Sequence, residues 1–355
     1  MVGVSWRFEM KYRSNLNIPK PSSLIESQKV LPTFYLEQGS TIQVSERCGY
    51  LRLNDQDMAL ENILGIIALA PIEIDGAALS MLMKNAIPVS LFSLGGELLG
   101  RIEPAHSMGN LPILQNQLTE EKKVRIVQAI AWTILRRVKK FFLRVARERA
   151  TQSTKEILSK ACKELQWPID SVYKHDSVAS LQGVIGNGMR IYYQTLPACL
   201  NNDWQFSSRS DDNCPLNRML NFAEAILNES AKTAIYAAGL DPKIGYWHKT
   251  YYKQEGLVSD LSAEFFFLAH TVVLRLVNRN HIVPKDFNDC WEEKHLPVEV
   301  TNAIARSMQK KMSEQVTYPF TKLVCSYQEM LFLQAKQIGW YLNEEIDEYY
   351  SPDLR

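Results

Sequence analysis

No two cysteines of this chain stand as a CxxC pair. Cys48, Cys162, Cys199, Cys214, Cys290 and Cys325 are scattered across 355 residues. That spread argues against a zinc site or a disulfide framework, and for buried, reduced thiols in a cytoplasmic protein. A continuous run of about 18 apolar residues is missing too, so no membrane span is expected. The N-terminal stretch MVGVSWRFEMKYRSN lacks the apolar core of a signal peptide. Net charge is also absent: 40 Lys and Arg stand against 39 Asp and Glu. The total therefore says nothing about partners, and only its distribution can. What is present is 46% hydrophobic and 22% charged residues, ordinary for a folded protein and enough for one large or two medium domains.

The pattern changes character along the chain. Residues 1–30 are poorly patterned, with a Pro and Ser-rich stretch at Ile18 to Ser23, and read as a leader or arm. Residues 31–104 carry short β-rich runs parted by Gly and polar turns: Thr33 to Leu36, Thr41 to Ser45 and Tyr50 to Leu53. Ile63 to Leu69 is a continuous apolar run, as in a strand buried on both faces. Ala77 to Asn85 reads as a short helix, and Ile87 to Phe92 and Leu98 to Ile102 as strands around a Gly95-Gly96 turn. Residues 105–118 read as a linker. Thr119, followed by Glu120 and Glu121, is a good helix start. From there to 340 the periods are helical, and 341–355 form an acidic tail with Glu344, Glu345, Asp347 and Glu348. The expected fold is α+β and multidomain, a small N-terminal β-sandwich-like domain before a larger all-α domain.

Charge concentrates in one helix. Residues 122–149 hold ten Lys and Arg against one acid, Glu148. Leu135, Val138, Phe142 and Val145 form an apolar stripe, and Arg136, Lys140, Arg144 and Arg147 form a separate basic one. Such a face is either a solvated surface or a track for DNA phosphates, and the second would show in a steep salt dependence. Arg137, Arg190 and Arg209 join these four as candidate DNA contacts.

Three segments, in order, resemble the CRISPR adaptation integrase/endonuclease family, the Cas-one proteins. Ile87 to Arg101, IPVSLFSLGGELLGR, is similar to that family's hairpin in which an IPV strand meets a GG..LGR return. Pro215-Leu216-Asn217 leads through an apolar helix to AAGLDPKIGYWH, Ala237 to His248, which resembles DPVN…AAGLDP..GFLH. Leu257 to Leu261 and Leu274 to Arg279 resemble LALDLMEEFRP…LLNR. The resemblance covers roughly residues 33 to 290 and leaves both ends out. It implies a dimeric endonuclease and integrase of antiviral defence. Such a protein pairs with a small ferredoxin-like partner and joins DNA with the help of Mg²⁺ or Mn²⁺, which polarises the scissile phosphate.

The resemblance also places the family's three metal ligands, a Glu, a His and an Asp or Glu. The Glu position, framed by Leu181, Gly183, Gly186, Asn187, Arg190 and Tyr192, is Ile185. The His is His248. The last ligand falls three residues after Asp260, at Ala263. Asn221 and Glu224 stand where the family commonly has Ser and Tyr, and its Arg-Pro-Pro lead is reduced to Arg209 and Pro215. Two anionic ligands are thus lost, and the site is expected to hold Mg²⁺ or Mn²⁺ weakly or not at all. The reading is a DNA-binding, largely inactive relative that pairs with itself, with an active paralogue or with the small partner, on duplex or branched DNA. The alternative is an active enzyme whose metal sits in a rearranged set of His248, Asp260 and Glu264.

Overall fold

The computed structural model describes residues 31–105, 109–148, 151–250, 254–287, 295–319 and 323–353. The expected leader at 1–30 lies outside the described residues. The chain builds N-terminal β-sheets and then a mostly helical region.

One mixed sheet runs β1 (Thr33–Leu36), β5 (Gly65–Ala68), β7 (Val89–Phe92), β8 (Leu98–Ile102). The other runs β4 (Gln56–Ala59), β3 (Tyr50–Leu53), β2 (Thr41–Val44), β6 (Glu73–Ile74). β1, β5 and β7 are parallel, and β8 closes antiparallel with a bulge at Leu91/Phe92. Ile42, Leu51, Leu53, Ile66 and Val89 fill one core together with Ala78 and Leu82 of α1 (Gly76–Lys84). Tyr35, Ile67, Leu69 and Phe92 point the other way, into the helical core. The first sheet is therefore covered on both faces, which explains the unbroken apolar run at 63–69.

The helices are α2 (Leu111–Gln117), α3 (Glu120–Glu148), α4 (Gln152–Glu164), α5 (Gln166–Ser171), α6 (Val178–Thr195), α7 (Pro215–Ala237), α8 (Gly256–Asn278), α9 (Val298–Met312) and α10 (Tyr327–Leu342). Thr119 caps α3, its hydroxyl accepting from the Lys122 N–H at 3.4 Å. α7 is the hub and packs on α8, α9 and α10. α8 is long and apolar enough to cross a membrane, but 78% of its apolar window is buried by the rest of the protein. It is read as a core helix.

The family-like hairpin does its work at the seam between the two parts. Arg101 reaches Glu229 at 2.9 Å and donates to Thr233 at 3.1 Å, and Ser90 donates to Glu229 at 2.6 Å. Glu103 adds a 3.1 Å pair with Lys232, and Tyr35 and Ser230 share a 3.0 Å hydrogen bond. These charged and polar groups satisfy one another where the sheet closes on α7.

Three features go beyond what the sequence pattern announced. The linker at 105–118 contains α2. The helical region carries a hairpin, β9 (Gln315–Thr317) with β10 (Val324–Ser326), because Tyr318 turns inward and donates to Gln334. The acidic tail is part of the helical domain: α10 runs to Leu342, and Ile346, Tyr349 and Ser351 are buried. Of the cysteines, Cys162, Cys199, Cys214 and Cys325 are buried free thiols, Cys48 is exposed, and Cys290 lies outside the described residues.

Packing in this region is tight enough to test. A Cβ on Gly188 would stand 2.0 Å from Leu135 Cδ2, where α6 crosses α3. Gly188→Ala is expected to cost about 1–3 kcal/mol through overpacking, read as a lower urea midpoint.

Candidate active site

The segment from Gly239 to His248 is irregular and is held from two sides. Gln115 of α2 donates to the carbonyls of Asp241 (3.2 Å) and Ile244 (3.3 Å) and accepts from the Asp241 N–H at 2.8 Å. Asp260 of α8, itself buried, takes the other end. Its Oδ2 accepts from the N–H groups of Tyr246 (2.6 Å) and Trp247 (3.1 Å). Its Oδ1 accepts from the N–H and the Nδ1 of His248, at 2.9 and 2.7 Å. The crossing needs glycine on both sides. A Cβ on Gly245 would meet the His248 carbonyl at 2.4 Å, and one on Gly256 the same oxygen at 2.5 Å.

Asp260 therefore fixes His248 by the arrangement that commonly orients a metal-binding imidazole: Nδ1–H donates to a carboxylate and Nε2 is turned outward. The ring stacks on Trp247 with centroids 4.1 Å apart, and its side chain is 38% exposed. What faces it carries no ligand. α6 reaches both the 239–248 segment and α8. Gln182, near the start of α6, donates to the Trp247 carbonyl at 3.2 Å, while Tyr192 near its end bonds His270 Nδ1 at 2.9 Å. Two turns back from Tyr192 and from His270 stand Ile185 and Ala263. The two family ligand positions thus hold an isoleucine that is 3% exposed and an alanine packed against the same core.

The rearranged set does not form. Asp260 spends both oxygens on four donors. Glu264 points away from His248 into the core, where it accepts from Tyr349 and from Gln334 Nε2 (3.1 Å). Burial pushes its carboxyl up to about 7, against the hydrogen bonds from Tyr349, Ser351 and Gln334 and the charge of Arg137. Among the described residues no three His, Cys, Asp or Glu side chains gather as a metal would require. The donor set around His248, one imidazole and no free carboxylate, does not fit Mg²⁺ or Mn²⁺.

A polar chain that sequence reasoning missed lies farther along α6 and α8. Tyr192 bonds His270, His270 Nε2 bonds Glu224 at 2.6 Å, and Glu224 pairs with Arg209 at 2.9 Å. Burial pushes the Glu224 carboxyl up, but His270 and Arg209 more than offset it and hold it below the usual value. Glu224 at the position where a Tyr was expected was the available signal. Its partner His270 stood in an apolar helix with nothing to mark it.

The comparisons with known proteins identify the family and the fold. The model of the family described as CRISPR associated protein Cas1 matches residues 34–310. The chain belongs to the Cas1 family. A CRISPR-associated endonuclease Cas1 of Thermus thermophilus is 30% identical over 173 residues, 48% of this chain and 52% of that protein. The chain thus spans about half the length of that relative. One from Moorella thermoacetica is 28% identical over 65% of this chain and 70% of its own length. Among solved structures, a casposase bound to integration product is 19% identical with a TM-score of 0.69, covering 92% of this chain and 95% of that one. A Cas1 protein from Thermotoga maritima is 20% identical with a TM-score of 0.67, covering 91% and 100%. At these identities the two structures show a shared fold.

In this Cas1-family chain the basic helix α3 is less open than its sequence suggests. Arg137 is buried and donates to the carbonyls of Glu264 and Pro352, so it is structural and does not face DNA. Lys140 pairs with Asp353 at 2.7 Å, and Arg136 lies 3.6 Å from the same carboxylate and over the Trp132 ring. Arg209 is taken by Glu224. Arg190 is exposed but bonded to Asn187 and Gln194 of its own helix. Arg144 and Arg147 are exposed.

Proposed function

We propose that this chain serves CRISPR adaptation as a DNA-binding Cas1-family subunit that does not itself supply the metal-dependent strand chemistry. The observation that carries the proposal is the donor set around His248: both oxygens of Asp260 are taken by the N–H groups of residues 246–248 and by the His248 ring, and the two family ligand positions are Ile185 and Ala263. Two named relatives are endonucleases, and the casposase with the same fold holds an integration product, which supports DNA as the ligand. A second solved neighbour is part of a Cas6-RT-Cas1–Cas2 complex. By analogy the chain assembles as a homodimer, or with an active paralogue, and with a small ferredoxin-like partner, in the cytoplasm. A heterodimer gives an inactive subunit a use: it would contribute DNA surface while its paralogue contributes the metal.

The test joins two assays on one branched duplex. A gel-shift measurement is expected to show binding that weakens steeply with salt. Incubation with Mn²⁺ or Mg²⁺ is expected to give neither nicking nor strand transfer. Turnover that disappears in His248→Ala would sink the proposal.

A further inference from the structure

Two hollows meet along the C-terminal half of α8. One, of about 410 Å³, lies between that half, the end of α3, the start of α4 and the turn at 198–201. The other, of about 200 Å³, lies between α8 and α9. They share Thr271, Arg275 and Arg279. Arg144 stands in the first hollow, and Lys310 in the second. All four cations are exposed, and among the described residues none of them is paired with a carboxylate.

Elsewhere in the helical region several cations are answered by acids. Arg136 and Lys140 are answered by Asp353, Arg209 by Glu224, and Lys232 by Glu103 and Glu255. Here the only acids are Glu148 in the first hollow and Glu314 in the second, and Glu314 is taken by Lys311. Arg275 and Arg279 also stand one turn apart, a like-charge spacing that disfavours a helix unless an anion lies between them. Guanidinium forks converging on a concavity suit phosphate oxygens, which they can hold through paired N–H bonds. Phe141 in the first hollow is buried, and the exposed ring of His281 lies in the second.

We propose that this double hollow is a phosphate site for nucleotide units, filled by the backbone of a single DNA strand or by a free nucleotide. It lies apart from His248 and from the part of α3 covered by Asp353. The single-strand form rests on the DNA-binding reading above.

The experiment uses the full chain and the fluorescence anisotropy of a labelled single-stranded oligonucleotide, with a labelled duplex alongside. Arg144→Ala, Arg275→Ala and Arg279→Ala together are expected to weaken single-strand binding at least about tenfold and to lower the salt slope by about 2. The three sites are exposed, and a melting curve checks that the variant folds. A charge-matched control, Lys155→Ala, Lys160→Ala and Lys163→Ala on α4, is expected to lose less than about threefold. A groove variant that loses no more than the control overturns the proposal while duplex binding still stands. A wild-type chain that binds neither probe overturns this proposal and the DNA-binding reading together. Unlabelled dATP separates the two sources. Displacement of the strand in the wild type, lost in the variant, assigns the site to free nucleotides. Displacement by oligonucleotides alone assigns it to the strand backbone.

Discussion

Asp260→Ala is expected to cost about 3–5 kcal/mol of folding stability, read as a lower urea midpoint with little change in slope. The reason is the number of donors it leaves behind. The N–H groups of Tyr246, Trp247 and His248 and the imidazole Nδ1 all end on this one carboxylate. The Tyr246 hydrogen bond is buried, that residue being 5% exposed, and the others are half-buried. Without Asp260 the loop must find water for these groups or open. Asp260→Asn keeps the volume but turns one acceptor into a donor facing donors, and is expected to lose about half as much. His248→Ala removes one bond from a half-exposed ring, and its cost should stay near 1 kcal/mol. If His248→Ala proves as costly as Asp260→Ala, the carboxylate does not organise the loop.

This comparison also bears on what the site was built for. In an intact metal centre such an Asp would orient the His for a ligand. In this chain the orienting half of the device is complete while the ligand half is apolar. Ile185 is well packed in the core, so its presence is no defect of folding. The scaffold of α6, α8 and the 239–248 segment is thus kept by its own hydrogen bonding and packing. Such a scaffold can persist without the chemistry, and a silent subunit would keep it for shape.

Much of this was legible in the chain itself. The apolar run at 63–69 announced a strand closed on both faces, and β1, β3 and β8 lie where the short β-rich runs put them. Strand β4 has a polar first half, and β6 is only two residues long, so neither carries a readable alternation. The β9–β10 hairpin is fixed by the burial of Tyr318 against α10, a tertiary cause with no local signal. At the site, the motif frame assigned Ile185, His248 and Ala263 to the ligand positions, and the structure ties His248 to Asp260. Glu264 follows Ala263 at about 100° around the helix, and nothing local in the sequence says what lies on that side. What lies there is the C-terminal segment, which pairs with α3 from more than 200 positions away in sequence. The same distance hid Asp353, so a count of cations on α3 overstated how many are free.

That segment gives the second large effect, a loss of stability between pH 4.5 and 7. Glu264 has a carboxyl raised from 4.5 to about 7, chiefly by burial. The folded state therefore holds a proton that the unfolded chain has already released in this window. Stability is complete below the unfolded value, falls as pH climbs through the window, and is lost in full above the folded value, by roughly 3 kcal/mol. Urea midpoints at pH 5 and pH 8 check this, and Glu264→Gln, which cannot ionise, is expected to flatten the difference. A wild-type midpoint that does not fall, or a Gln variant that falls equally, rules out Glu264 as the titrating group. The consequence reaches the basic face. Tyr349 donates to Glu264, Gln334 bridges Glu264 to the Tyr350 carbonyl, and the residues that follow lay Asp353 over Arg136 and Lys140. Arg137 ties the Glu264 carbonyl to that of Pro352 in the same assembly. Ionising Glu264 thus strains the anchor of the segment that neutralises two cations of α3. The loss of stability at higher pH is expected to appear first as protease cleavage near residues 343–350, ahead of cleavage in the α7 and α8 core.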